Sequence, residues 1–169
     1  ENMRTKAEMH ALQSQINPHF LYNTLENIRA TALMRDAEDI AMLTEALSAM
    51  FRYSISSPGE TATIREELKN VNNYLLIQKY RFPGKINYYE EIEDSEALDY
   101  RLPVLTIQPI IENAVNHGVE MCTGEGCIRF KMFMTDYHLI IRISDNGAGM
   151  DEDTLESLRE KLDNPHGEK

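Results

Sequence analysis

Apolar positions keep a helical period over the first half of this chain and alternate over much of the second. Met9, Leu12 and Ile16 are spaced by 3 and 4, so Glu1 to Ile16 reads as a helix with a narrow apolar seam. Asn17-Pro18 interrupts it. Proline lacks the amide hydrogen and crowds the preceding turn, so a kink or a fresh helix start is expected there. Leu21, Leu25, Ile28 and Ala32 resume the stripe at spacings of 4, 3 and 4. Asp36 to Asp39 reads as a short polar connection. A second helix to about Tyr53 carries Ile40, Leu43, Leu47, Met50 and Ser54 at heptad spacing. Two striped helices with a short connection predict an antiparallel hairpin. A lone hairpin cannot cover both stripes, so pairing with a second copy into a four-helix bundle is the economical arrangement.

Ser56-Ser57-Pro58-Gly59-Glu60 is the best linker candidate. Thr63 and Glu66 then predict a capping box opening a third helix, with Ile64, Leu68, Val71 and Leu75 inward and an end before Pro83-Gly84. Ile86, Tyr88, Glu90 and Ile92 alternate as in a half-buried strand. Pro103 to His117 reads as a helix with Ile107, Ile110, Ile111 and Val115 on its apolar side, followed by a loop containing Gly118, Gly124 and Gly126. Cys127–Thr135 and Leu139–Ser144 predict a hairpin turning at Asp136-Tyr137-His138. Asp145 to Gly149 is rich in turn residues, and Asp151 to Leu162 reads as a short acidic helix. The fold class expected is α+β, in two pieces: a helical hairpin over residues 1–58 and a mixed domain over 59–169.

Composition narrows the function. Of 169 residues, 42% are hydrophobic, which suits a globular chain rather than a disordered one. No apolar run approaches the roughly 18 residues that cross a bilayer, and no signal-peptide core opens the chain. The net charge of −11 argues against nucleic acid, which is held by Lys and Arg at phosphates. Cys122 and Cys127 supply neither a disulfide framework nor a four-ligand zinc site, and read as reduced thiols.

Three segments carry chemistry. The first is Asn17-Pro18-His19-Phe20-Leu21-Tyr22-Asn23. At 100° per residue, His19 projects about 180–200° from the Leu21 and Ile28 stripe, with Asn23 and Glu26 on its own side. The Asn23 amide, at i+4, can hold the imidazole in one tautomer, and an exposed neutral imidazole can attack phosphorus. The second segment is Gln108 to Gly118, where Glu112, Asn113, Asn116 and His117 share a face beside an apolar stripe. Oxygen groups so placed suit Mg²⁺, which takes few protein ligands and completes its shell with water and phosphate. The third is Ser144 to Met150: an Asp at a strand end can accept from an exocyclic amine, and glycines let the backbone approach a flat ring. Singly, each segment also reads as a solvated surface or an ordinary turn.

Together the three resemble the sensor histidine kinases of two-component systems, in their LytS/YesM-type subgroup. Asn17 to Asn23 matches its phosphoacceptor box without a gap, Gln108 to Gly118 its N box and Asp145 to Gly149 its G1 box. Phe51-Arg52-Tyr53-Ser54, Glu66-Glu67-Leu68 and Tyr74 through Phe82 also look like this subgroup. The resemblance implies a dimerising histidine-phosphotransfer hairpin before an ATPase domain of the Bergerat-type α/β sandwich shared with gyrase and Hsp90. His19 would accept phosphate from ATP. Asn113 would ligate Mg²⁺, and Asn116 and His117 would lie near the phosphates. Asp145 would contact the adenine amine, with Gly147 and Gly149 shaping the pocket floor. Glu112 would support or activate the nucleophile. The phosphate would pass to an aspartate of a response regulator.

Phe20 stands where many histidine kinases carry an acidic base after the phosphoacceptor, which leaves Glu26 and Glu112 as candidates. The family's further glycine-rich box and last strand are not found before Lys169, and its upstream membrane-spanning sensor region is not within this chain. The expectation is a cytoplasmic, C-terminally truncated piece of a membrane-anchored homodimeric receptor, itself weak in ATP binding. The alternative is a dimerising nucleotide-binding module that signals without catalysis. A chaperone-type or repair-type ATPase of the same fold would give the histidine of the hairpin no role.

Overall fold

A computed structural model describes residues 17–56, 61–119 and 125–163. The helix expected over Glu1–Ile16 lies outside the described residues, as does most of the linker. Helix α1 (Pro18–Leu33) starts fresh at the proline. Asn17 is its N-cap, its side-chain oxygen accepting from the Phe20 amide at 3.2 Å, and Pro18 takes a first-turn position that needs no donor. The helix ends in a Schellman pattern. Ala37 N–H reaches the Ala32 carbonyl at 2.9 Å and Asp36 N–H the Leu33 carbonyl at 3.2 Å, with Asp36 left-handed at φ 55°. Helix α2 (Glu38–Ser56) returns along α1.

Strand β1 (Thr61–Thr63) leads into α3 (Ile64–Arg81), whose capping box has both reciprocal bonds formed. Tyr53 near the end of α2 bonds Glu67 near the start of α3, and Tyr80 near the end of α3 bonds Asp39 at 2.7 Å. The two helices therefore lie side by side and antiparallel. Ile64, Leu68, Val71 and Leu75 are buried, as their spacing predicts. A 3₁₀ turn (Glu96–Asp99) and strand β3 (Arg101–Pro103) complete this unit, β3 pairing antiparallel with β1 in the register Ala62–Leu102. Sequence periodicity misses both three-residue strands because they are shorter than a period can register.

In the second unit, β2 (Ile86–Ile92) runs parallel to β4 (Gly126–Met134), and β4 pairs antiparallel with β5 (Leu139–Asp145). The β4–β5 hairpin agrees with the alternation. Ile128, Phe130 and Met132 are fully buried, and the residues between them are not. Helix α4 (Gln108–Asn113) continues as a π-helical turn (Ala114–Val119) packed on β4 and β5. The helix expected from Pro103 thus begins five residues later. Pro103 belongs to β3, and Leu105 adopts φ 61° instead of a helical angle. Helix α5 (Glu152–Asp163) buries no residue.

Contacts group the chain as Glu1–Phe82 with Glu96–Gln108, and Pro83–Ser95 with Pro109–Lys169. This grouping differs from a cut at Pro58 because α3 packs along α2 and covers part of the hairpin. Phe20, Ile28, Met34, Ile40 and Met42 remain exposed on the hairpin.

Candidate functional site

The Asn17 cap places His19 in the first turn of α1, exposed to solvent. Leu25 and Ala32 face inward, while Leu21 is half-buried and Ile28, expected on the same stripe, is exposed; His19 lies off the side that Leu25 and Ala32 bury. The Asn23 amide nitrogen lies 3.3 Å from His19 Nδ1 and 3.4 Å from Nε2. The sequence brings these two side chains together, but near-equal distances do not select a tautomer. Glu26 is committed elsewhere. Arg29 binds both its oxygens, at 2.6 Å for the shortest contact, and that hydrogen bond holds its carboxyl below the usual range. Seven residues from His19, Glu26 is also about 10 Å along the helix axis. Neither property suits a base for His19.

In the second unit, α4 and its π-helical continuation carry the N-box residues. Ile111, Ala114 and Val115 are buried, while Asn113 and Asn116 are exposed and Glu112 is half-buried. The periodicity places Ile107, Ile111 and Val115 inward correctly, but Ile110, expected on the same stripe, is exposed, and the π-helical widening, which often marks functional segments, is not foreseen. The backbone of His117 lies in this turn, and its side chain is outside the described residues. The donor set is made of amide and carboxylate oxygens, which are hard ligands. Among the described residues no three His, Cys, Asp or Glu side chains cluster as a metal cage. Such a face fits Mg²⁺ held by one or two protein oxygens beside phosphate, and no dedicated cage.

Asp145 ends β5, and its Oδ1 accepts from the Gly147 amide at 2.8 Å. This Asx turn fixes the carboxyl group at the end of β5. Gly149 sits at φ 74°, in the left-handed region that favours glycine, and no atom of the described chain lies within 4 Å of where a Cβ would be. Asn146 is a positioning residue that the sequence does not single out within its motif. Its Oδ1 accepts from Cys127 N–H at 2.7 Å, and its Nδ2 donates to the Glu125 carbonyl at 3.2 Å. It fastens the loop to the start of β4.

Sequence reasoning names Glu67 only within the Glu66-Glu67-Leu68 stretch and gives it no role, yet it is fully buried. Its oxygens accept from the Tyr53 hydroxyl, Leu105 N–H at 2.6 Å and Ile107 N–H at 2.7 Å. Burial and the Glu67 carboxylate raise the Tyr53 hydroxyl well above an ordinary phenol, so it stays a donor. The available signal was an acidic residue on the apolar side of a helix, one position before Leu68. A cleft of about 870 Å³ in the first unit is walled by Arg29, Glu45, Arg52, Lys69 and Arg101 among others, and none of the nucleotide-motif residues lines it.

Residues 7–86 match the family described as Histidine kinase. Residues 99–168 match the Histidine kinase-, DNA gyrase B-, and HSP90-like ATPase family. The chain therefore belongs to the histidine kinases, with a hairpin histidine and an ATPase-family segment in one polypeptide. Within them it stands beside the YesM and LytS sensors. It is 39% identical over 152 residues to the sensor histidine kinase YesM of Bacillus subtilis, covering 90% of this chain and 26% of that protein. It is 37% identical over 146 residues to the sensor histidine kinase BtsS of Escherichia coli K12, covering 86% and 26%. The sensor protein LytS of Oceanobacillus iheyensis is 35% identical over 157 residues, covering 92% and 26%. The chain thus spans about a quarter of the length of these relatives.

Proposed function

We propose that this chain is the phosphotransfer and nucleotide-binding part of a sensor histidine kinase that phosphorylates itself on His19. The observation that carries the reading is His19 itself: exposed, off the buried face, in the first turn of α1, within the unbroken Asn17-to-Asn23 box. A ring nitrogen of neutral His19 attacks the γ-phosphorus of ATP. An N–P bond forms, the P–O bond to ADP breaks, and ADP leaves with the electron pair. The N-terminal turn of α1 favours the added negative charge through its helix dipole.

Residues 59–169 bind the ATP and residues 1–58 present the histidine. Asp145 accepts from the adenine amine while Gly147 and Gly149 shape the floor. Asn113 supplies an oxygen to Mg²⁺, and Asn116 and His117 lie toward the phosphates. Mg²⁺, when bound, neutralises phosphate charge that a chain of net charge −11 cannot. Glu112 supports the nucleophile, since Glu26 is held by Arg29. Asn23 orients the imidazole. The exposed Ile28, Ile40 and Met42 support a homodimer through the hairpin. The phosphate then passes to an aspartate of a response regulator. The parent is a membrane-anchored sensor with this part on its cytoplasmic side, where ATP is available. Among the described residues, no helix is long and apolar enough to cross a membrane.

The test is label transfer from γ-labelled ATP to the complete cytoplasmic part of the protein. Label is expected on the native chain and absent from His19→Gln. Label that persists in that variant would overturn the assignment of His19.

A further inference from the structure

We propose that Glu67 is a positioning residue that ties the second helix of the hairpin to the start of the N-box helix, a role that rests on the kinase reading above. A fully buried carboxylate is costly unless its oxygens are met by donors. Glu67 is met by three neutral ones. Tyr53 comes from α2, and the Leu105 and Ile107 amides come from the segment that runs into α4. An apolar side chain would fill the same space without that cost, so the carboxyl group is better explained by what it registers.

The segment needs a hold. Leu105 sits at φ 61°, an angle that a residue with a γ-branched side chain adopts only when its surroundings fix it. Its amide is bound by Glu67 Oε1 and that of Ile107 by Oε2. Asn70, one turn further along α3 and also buried, donates to the side chain of Gln108, the first residue of α4. Two buried polar residues on one face of α3 thereby bind the backbone amides of Leu105 and Ile107 and the side chain of Gln108. Asn113 follows within the same short helix. Tyr53 is the one member of this set that belongs to the hairpin. A small slide or rotation of α2 would withdraw its hydroxyl, and Glu67 would have to re-pair. Its grip on the lead-in to α4 would change with it. The geometry supplies a route by which the position of the hairpin helix biases the N box.

The experiment uses the full-length protein with Tyr53→Phe, which removes one hydroxyl and keeps the ring, and Glu67→Gln, which keeps the shape. Amide hydrogen exchange at Leu105 and Ile107 reads the clamp whether or not the chain phosphorylates. Exchange at both is expected to rise at least tenfold in Glu67→Gln and severalfold in Tyr53→Phe. Unchanged exchange in Tyr53→Phe would overturn the link to the hairpin. In autophosphorylation, Tyr53→Phe is expected to lower kcat about tenfold with KM for ATP within twofold of native. A purely structural role would instead lower the active fraction and the melting temperature together. Native kcat in Tyr53→Phe would overturn the role in the reaction. A native protein that takes no label would refute the kinase reading, and the exchange result would then decide the link alone.

Discussion

The side-chain amide nitrogen of Asn23 lies within 3.4 Å of both ring nitrogens of His19, one helical turn away on the exposed side of α1. A single amide can restrain the orientation of an imidazole at i+4 without deciding which nitrogen carries the proton. Because Asn23 is exposed, its removal leaves the packing of α1 alone. Asn23→Ala is expected to slow phosphohistidine formation by about 2- to 10-fold, the worth of one hydrogen bond. Helix content by circular dichroism should stay native. A rate equal to native would show that Asn23 does not orient the ring.

Asp145 Oδ1 turns the loop through the Gly147 amide, and the proposed site gives its carboxylate a second duty toward the adenine amine. Asp145→Ala should weaken ATP binding by about 10- to 100-fold, as expected for a hydrogen bond to a charged group. Asn146→Ala, which unfastens the loop from β4, should weaken ATP binding and also lower thermal stability. Calorimetry with ATP and Mg²⁺ and a melting curve on each variant of the complete cytoplasmic part separate a lost contact from a loosened loop. Undiminished affinity in Asp145→Ala would remove the adenine assignment.

The capping box of α3 makes a prediction with a definite sign in pH. Hydrogen bonds from the Thr63 backbone and hydroxyl lower the carboxyl of Glu66. A lowered folded-state value means stability that is present above the ordinary carboxylate range and lost as pH falls through the folded value. Thr63→Ala should cost about 1 kcal/mol at pH 7, as N-cap removals do. Glu66→Gln should be less stable than native at pH 7, and that difference should shrink at about pH 3. Urea denaturation at the two pH values measures both. A difference that grows on acidification would contradict the assignment.

Phe130 is fully buried in the middle of β4, the central strand of its sheet. Phe130→Ala leaves a cavity among Ile128, Met132 and their neighbours, and should cost about 3–5 kcal/mol. On chemical denaturation this cost would appear as a lower midpoint. A shift below about 1 kcal/mol would mean that the sheet repacks around the gap.

Much of the fold is legible from local pattern. Asn17 and Pro18 signal a helix start, Thr63 and Glu66 a capping box, and the alternation through Ile128, Phe130 and Met132 a strand. Each of these depends on residues a few positions apart, so the chain encodes it directly. The exposed face of His19 is legible for the same reason. The start of α4 is not, because apolar residues at Ile107, Ile110 and Ile111 continue a helical pattern that long-range bonds from Glu67 override. Ile40 and Leu47 keep heptad spacing and yet stay exposed, while Ala41, Thr44 and Ala46 are buried. Small residues let α2 approach its neighbours closely, and a heptad count cannot foresee which side a third helix will take.

The sequence alone determined the helical hairpin with its histidine turned outward, the three motif segments and the family they belong to. Those features follow from side-chain period, capping chemistry and contiguous residues. Only the tertiary structure decided that α3 lies along α2, that β2 pairs parallel with β4 across an intervening stretch of chain, and that Glu67 holds Leu105 and Ile107 from 38 and 40 positions away. A buried carboxylate must find its donors wherever the fold brings them, and a strand finds its partner by shared hydrogen bonds. Neither choice is written in the residues next to it.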